Sequence, residues 1–370
     1  MRILHFFKTY WPDTFGGIER TIHAIATGTS KLGFETNVLS LSRTPSANTM
    51  LFDGHMAYKA KLDLHIASTG LSRDVFGRFA DLSRQADLIH YHFPWPMMDL
   101  VHFASRIRKP TVLTYHSDIV KQRSMSVLYS PLMHRFLGSV DHIVATSPNY
   151  LETSSVLKRY QEKTSIIPLG LFADGYPTPS SAVTASFINR FRKPFFLFVG
   201  VLRYYKGAHI LLEAARITGM DVVIAGEGPM EGKLKEQAKA DNLSNVHFLG
   251  KVTDEEKIAL LDLSLGLVFP SPLRSEAFGL SLVEAAMRGK PMISCEIGTG
   301  TSFVNLDGET GYVVPPNDAT ALGAAMRKIA GDSAAVKKMG VAARLRFENF
   351  LTAEIMARSY AELYTTVATR

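Results

Sequence analysis

The stretch Ser275-Glu276-Ala277-Phe278-Gly279-Leu280-Ser281-Leu282-Val283-Glu284-Ala285 sets two carboxylates eight positions apart around a Phe-Gly-Leu turn. Upstream, Leu267-Val268-Phe269 is an apolar run halted by Pro270 and Pro272, which predicts a strand ending there. Downstream, Ser281 to Arg288 has helical composition and is closed by Gly289 and Pro291. The segment reads strand, loop, helix, with Glu276 in the loop and Glu284 inside the helix. Backbone N–H groups at a helix start form an anion site, and Gly279 lets a ligand come close. One carboxylate at that mouth and a second two turns deeper would grip both ends of a long polar ligand. The plainer alternative is a solvated acidic loop followed by a surface glutamate.

The same strand–loop–helix unit recurs on both sides of this stretch. Ile3 to Phe7 reads as a first strand, followed by a loop ending in Gly16-Gly17 and a helix from about Ile18 to Leu32. Strands follow at Thr36 to Leu41, Leu62 to Ala67, Asp87 to His92, Thr111 to His116, Asp141 to Thr146 and Thr164 to Pro168. His92 and His116 stand at the carboxyl ends of adjacent strands, where ligands bind in parallel sheets. His116, followed by Ser117-Asp118, is the preferred functional candidate.

Gly170 to Pro194 is rich in Pro, Ser, Thr, Gly and Ala, and the pattern restarts after it. This predicts a first domain over 1–173, a linker over 174–194 and a second domain over 195–350. Phe195 to Val199 is the restart strand, and its loop, Gly200 to Gly207, carries Arg203 and Lys206 ahead of the helix Ala208 to Thr218. Cations there, with the helix dipole, suit an anionic ligand. Asp221 to Ala225 leads into the tight turn Gly226-Glu227-Gly228-Pro229. Val246 to Gly250 is a strand, Asp254 is read as the cap of the helix Glu255 to Leu263, and Pro291 to Ser294 and Gly311 to Val314 are further strands. Ala319 to Ala330, Ala334 to Phe347 and about Thr352 to Thr366 are helical, the last with an apolar stripe that must be buried.

The totals describe a two-domain globular protein: 370 residues, 46% hydrophobic and 20% charged. No apolar run reaches membrane-spanning length, and no signal-peptide pattern opens the chain. A single cysteine, Cys295, excludes an internal disulfide framework, suits a reducing cytoplasm, and accompanies no zinc-like Cys/His spacing. The net charge of +7 is uneven. Between 101 and 140, Arg106, Arg108, Lys109, Lys121, Arg123 and Arg135 face one acid, Asp118, beside the apolar run Met125 to Val140. That combination suits an anionic membrane face, or a core helix with basic flanks. No nucleic-acid-binding motif accompanies the charge.

The E-A-F-G-L-S-L-V-E run resembles the E-x7-E element of the retaining glycosyltransferases of family 4, which have the GT-B fold. Gly16-Gly17-Ile18-Glu19-Arg20, Thr114 to Asp118, Phe198 to Gly207, Gly226 to Pro229, Phe248 to Val252 and Gly311 to Pro316 resemble further elements of that family, in order along nearly the whole chain. The resemblance implies two doubly wound Rossmann-like α/β domains facing a crevice, with the helix over 351–370 crossing back to the N-terminal domain. It implies that Lys206 and Arg203 neutralise the diphosphate of a nucleotide-sugar donor, with Gly16 and Gly17 approaching the same group. Phe278, Gly279 and Leu280 would offer backbone amides, Glu284 would take the ribose hydroxyls, Glu276 the sugar hydroxyls, and His116 would contact the sugar near the reacting carbon. Gly226 and Val252 would lie by the donor, the base on Val252. In such enzymes the donor phosphate takes the acceptor proton, so no protein base is required.

The chain departs from the family pattern at Val201, where an arginine is usual, and in Gly298 to Phe303, which lacks the usual glutamate. No Asp-x-Asp pair occurs, which fits a site without an essential metal or other cofactor. The Lys8 to Asp13 opening (K-T-Y-W-P-D), Gly16 to Arg20 and Leu202 to Gly207 (L-R-Y-Y-K-G) look most similar to bacterial mannosyl- or rhamnosyltransferases of lipopolysaccharide O-antigen assembly. That implies a GDP-sugar donor and a lipid-diphosphate-linked acceptor, with the enzyme on the cytoplasmic membrane surface through 101–140. A UDP-sugar donor, a nucleotide-sugar epimerase or hydrolase, and a catalytically silent binding protein are the alternatives.

Overall fold

The apolar runs form the strands of two parallel sheets whose inner strands are buried on both faces, as continuous rather than alternating hydrophobicity requires. The computed structural model describes residues 1–66, 69–119 and 123–369, with side chains everywhere among them but at 123–128. The chain divides into two units, Met1–Gly170 with Ala353–Arg370, and Leu171–Thr352.

In the first unit the strands are β1 (Arg2–Phe6), β2 (Glu35–Ser42), β3 (Met50–Phe52), β4 (His55–Lys61), β5 (Leu64–Ile66), β6 (Thr69–Leu71), β7 (Leu88–Phe93), β8 (Thr111–Tyr115), β9 (His142–Ala145) and β10 (Thr164–Ile166). The main sheet runs β10-β9-β8-β7-β1-β2-β4-β3, parallel except for β3 against β4. The strand order reverses between β1 and β7, and the carboxyl ends at such a point are where doubly wound sheets take ligands. Leu64 to Ile66 lies outside the main sheet, in a hairpin with β6, which corrects the strand expected over Leu62 to Ala67; Ala67 lies outside the described residues.

The C-terminal helix Ala353–Ala368 belongs to this first unit. Its buried Met356, Ala357, Tyr360, Tyr364 and Val367 follow helical spacing. Tyr360 and Tyr364 turn their hydroxyls to Thr114 and His90 of the sheet, 2.7 Å in each case.

The second unit contains β11 (Phe195–Val199), β12 (Asp221–Ala225), β13 (Val246–Gly250), β14 (Gly266–Phe269), β15 (Met292–Cys295) and β16 (Gly311–Val314), all parallel, in the order β13-β12-β11-β14-β15-β16. Here the order reverses between β11 and β14. The expected linker over 174–194 contains the helix Ser181–Arg190, capped by the Ser180 side chain and packed within this unit against Asp254–Leu263. Its Ser and Thr residues among small side chains, with Phe187 its one buried side chain, explain why it reads as a loop. The unit boundary falls at Gly170/Leu171, not at 173, and its second crossing at Thr352/Ala353. The cap of the helix Asp254–Leu263 is Thr253, in a reciprocal capping box with Glu256, and not Asp254.

Candidate glycosyl-transfer site

In the second unit the strands flanking the reversal, β11 and β14, each release one loop. The first carries Lys206 on the short turn Tyr204–Lys206, and the second carries Glu276. Lys206 Nζ lies 2.5 Å from Glu276 Oε2 in an ion pair. The ammonium also sits 5.1 Å from the centre of the Phe269 ring. Glu276 is 8% exposed and Glu284 6%, so neither is a solvated surface acid. Arg203, by contrast, is exposed.

Glu284 stands within the helix Leu280–Met287, as its spacing from Glu276 predicts. Its Oε1 accepts from Lys257 Nζ at 2.6 Å and from the Tyr176 hydroxyl at 2.8 Å. Lys257 also donates to Asp254 Oδ1 at 2.8 Å. These partners were not anticipated. The available signal for Lys257 was a lysine inside the apolar stripe Ile258, Leu260 and Leu261, where a buried cation needs an acid.

Gly279 caps that helix with φ +89°, and a Cβ there would come within 3.0 Å of the Phe269 ring. Phe278 is buried, so what it has to offer a ligand is its backbone. The Gly298 to Thr301 loop braces this turn: Thr299 Oγ1 donates to Glu276 O and Gly300 N–H to Ala277 O, both at 2.8 Å. Gly226 has a packing reason for its identity, since a Cβ would fall 2.0 Å from the carbonyl oxygen of Gly200. Val252 follows β13, half-buried.

In the first unit Gly16 caps the helix Gly17–Ser30, and Thr14 Oγ1 donates to the buried Glu19 two residues into that helix at 2.7 Å. The loop before it is anchored by Lys59, fully buried in β4, which donates to Tyr10 O and Ser40 Oγ and pairs with Asp13 at 3.1 Å. Desolvation lowers the pKa of Lys59, against the opposing pull of Asp13.

His116 follows β8 and is buried, its backbone N–H bonded to Phe93 O at 3.0 Å. Its Nε2 lies 2.9 Å from His92 Nδ1, and His92 Nε2 lies 2.9 Å from His5 Nδ1. Burial pushes His5 and His116 down to about 3, and His92 and His90 well below the usual imidazole range. Ring nitrogens of His5, His90 and His92 fall within 4.8 Å of one another, close enough in principle for a metal ion. Five of the six, however, are already in hydrogen bonds: both of His90 with Tyr364 and Thr114, both of His92, and Nδ1 of His5.

The membrane face expected over 101–140 is described only in part. Met133, Phe136 and Leu137 of the helix Arg123–Ser139 are buried in the unit's core. Arg106, Arg108, Lys109 and Arg135 are exposed, the first three lining a pocket of about 600 Å³. Lys121, and the side chains of Arg123, Met125, Val127 and Leu128, lie outside the described residues. No helix among the described residues is long and apolar enough to cross a membrane.

Two doubly wound parallel sheets, each with its loops gathered at a strand-order reversal, define the GT-B class of glycosyltransferase. Residues 185–346 match the model described as glycosyl transferases group 1, and residues 15–174 match glycosyltransferase family 4. The D-rhamnosyltransferase WbpZ of Pseudomonas aeruginosa is 53% identical over 353 residues, covering 95% of this chain and 93% of that protein. The O-antigen chain mannosyltransferase C of Escherichia coli is 46% identical over 367 residues, covering 99% of each. Among solved structures, sucrose-phosphate synthase of Thermosynechococcus elongatus shares the fold at a TM-score of 0.83 and 21% identity, covering 100% of this chain and 99% of that one. The chain belongs to the family 4 glycosyltransferases.

Proposed function

We propose that the protein is a retaining α-hexosyltransferase of lipopolysaccharide O-antigen assembly. It would move mannose or D-rhamnose from a GDP-sugar to a lipid-diphosphate-linked or growing polysaccharide acceptor. The observation that carries the reading is the Lys206–Glu276 pair at the reversal of the second sheet, in a chain about half identical to a D-rhamnosyl- and an O-antigen mannosyltransferase.

Bond breaking at the sugar carbon leaves charge on the departing diphosphate. Lys206 is the half-buried cation placed to meet that charge, assisted by the first amides of the Leu280–Met287 helix. Arg203 extends the cationic loop in place of the arginine absent at Val201. Glu276 takes the sugar hydroxyls and Glu284 the ribose diol, as charged acceptors. Gly16, Gly17 and His116 serve the donor from the first unit. The acceptor oxygen bonds to the sugar carbon on the face the diphosphate leaves, and its proton passes to a phosphate oxygen. Neither a protein base nor an essential metal enters that step, so transfer persists in a chelator.

The exposed Arg106, Arg108 and Lys109 would hold the enzyme to the anionic inner face of the plasma membrane by charge. Transfer from a panel of GDP- and UDP-sugars to a lipid-diphosphate-linked GlcNAc mimic tests the reading. A GDP-sugar product with retained anomeric configuration supports it. Free sugar or an epimer in place of any transfer product would overturn it.

A further inference from the structure

The histidine chain behind His116 has a consequence for how that residue meets a sugar. His5, His92 and His116 come from β1, β7 and the end of β8, three adjacent parallel strands. Ring centroids are 5.3 Å apart for His5 and His92 and 5.2 Å for His92 and His116, with interplanar angles of 18° and 21°. With nitrogens 2.9 Å apart, these are separations of rings meeting edge to edge in nearly one plane, the alignment a hydrogen bond prefers. His90 lies over the face of His92, centroids 4.3 Å apart, and is itself tied at both nitrogens.

Burial keeps each ring neutral, so each carries one N–H and one bare nitrogen. Two links shared by three such rings allow two arrangements, in which every proton points the same way along the chain. In one, His116 donates through Nε2 to His92, His92 donates through Nε2 to His5, and His5 holds an N–H at its own Nε2. That nitrogen is buried and finds no partner among the described residues. In the other, His5 donates through Nδ1 to His92, His92 donates through Nδ1 to His116, and His5 Nε2 is a bare lone pair. An orphaned buried N–H is the rarer and costlier of the two outcomes.

We infer that His5 and His92 are positioning residues that hold His116 as its Nδ1–H tautomer, making it a hydrogen-bond donor toward an oxygen of the donor sugar. The assignment of the sugar rests on the proposed function, whereas the tautomer rests on the histidine chain alone. The arrangement also opposes a metal ion at His5, His90 and His92, which would need lone pairs the chain has committed.

Long-range ¹H–¹⁵N spectra of the full-length protein labelled at the histidine rings read the tautomer directly, with His116→Gln assigning the signals. A protonated Nδ1 and bare Nε2 at His116 are expected; a protonated Nε2, or a stoichiometric metal ion in the purified protein, would overturn the inference. His5→Leu leaves His92 Nε2 without a donor, and by the same cost that nitrogen stays a bare lone pair, so His116 should keep Nδ1–H. His5→Asp instead sets an acceptor-only carboxylate near the former Nδ1, which draws the N–H of His92 to Nε2 and reverses the chain. His116 should then switch to Nε2–H, and kcat/KM should fall about 10²–10³-fold, the scale of losing one donor to the transition state. A switch in folded His5→Leu, or an unchanged tautomer in folded His5→Asp, would refute the relay. Should either variant fail to fold, the parent spectrum still decides. If His116→Ala transfers sugar as well as the parent, the sugar contact falls while the tautomer is judged by its spectrum.

Discussion

Lys206 Nζ stands 2.5 Å from Glu276 Oε2 at the reversal point of the second sheet, so in the free protein the cation proposed for the phosphate neutralises the carboxylate proposed for the sugar. Each is the other's counter-charge in a largely buried place, and donor binding would exchange partners rather than desolvate bare ions. Lys206→Ala should therefore act twice. It should lower kcat/KM by about 10²–10³-fold and destabilise the free enzyme by about 3 kcal/mol, because a buried carboxylate loses its partner. The double variant Lys206→Met/Glu276→Leu should regain stability in urea unfolding but no activity. A single variant as active as the parent would remove the phosphate role.

Glu284 is presented by Lys257 and Tyr176, which both load the same carboxylate oxygen. Lys257→Met should leave a buried charge less well held and weaken donor binding, raising the donor KM about tenfold for loss of one charge-assisted bond. Tyr176→Phe should do the same more weakly. Steady-state kinetics with donor varied and acceptor saturating checks both; a change confined to kcat would contradict a binding role.

What could be read from the chain and what could not divides along physical lines. Phe195 to Val199 and Leu267 to Phe269 declared themselves because strands buried on both faces need uninterrupted apolar side chains. The strand His55–Lys61 did not, because its buried Lys59 breaks the run, and its partners Asp13, Ser40 and Tyr10 O come together only on folding. The carboxylates Glu276 and Glu284 were found from local spacing. Lys257 and Tyr176, 27 and 108 positions from Glu284, were not. His92 and His116 were visible as strand ends, but His5 and His90 gained meaning only from the register that sets β1 beside β7.

Acid should unfold the first unit before the second. Burial holds His5 and His116 at about 3 and His55 and His102 at about 4, all in the first unit. Unfolded, each returns to about 6.5. Between pH 6.5 and about 4 the unfolded chain thus binds more protons, so stability is full above pH 6.5 and falls as pH drops, by about 1.4 kcal/mol per pH unit for each excess proton. Asp99, pushed up to about 8 by burial, works the opposite way, losing stability as pH rises toward 8, but it is one group against four. Calorimetry from pH 7 to pH 4.5 should show one transition moving down strongly while the other lags. Two transitions moving together would refute the assignment.

Cys295 is buried in β15, and burial pushes its thiol up to about 12. Thiolate is the reactive form, so the native protein should resist alkylation at pH 8 and react at once in denaturant. Mass spectrometry after timed iodoacetamide exposure checks this, and rapid native labelling would show that the second unit opens readily around β15.

Tyr364 of the C-terminal helix bonds His90 Nδ1 at 2.7 Å, and Tyr360 bonds Thr114 Oγ1 at 2.7 Å, which accounts for how a segment 274 positions from His90 in sequence completes the first sheet. Tyr364→Phe keeps the ring and its packing but orphans a nitrogen of a fully buried histidine. The expected loss is about 1–3 kcal/mol in the first unit's stability, with little change in the second. Removal of 353–370 should cost far more, because it uncovers the Met356, Ala357, Tyr360, Tyr364 and Val367 face together. Urea unfolding monitored by hydrogen exchange separates the two units. Equal stability of Tyr364→Phe and parent would mean that the hydroxyl does not hold the helix, and that apolar burial alone docks it.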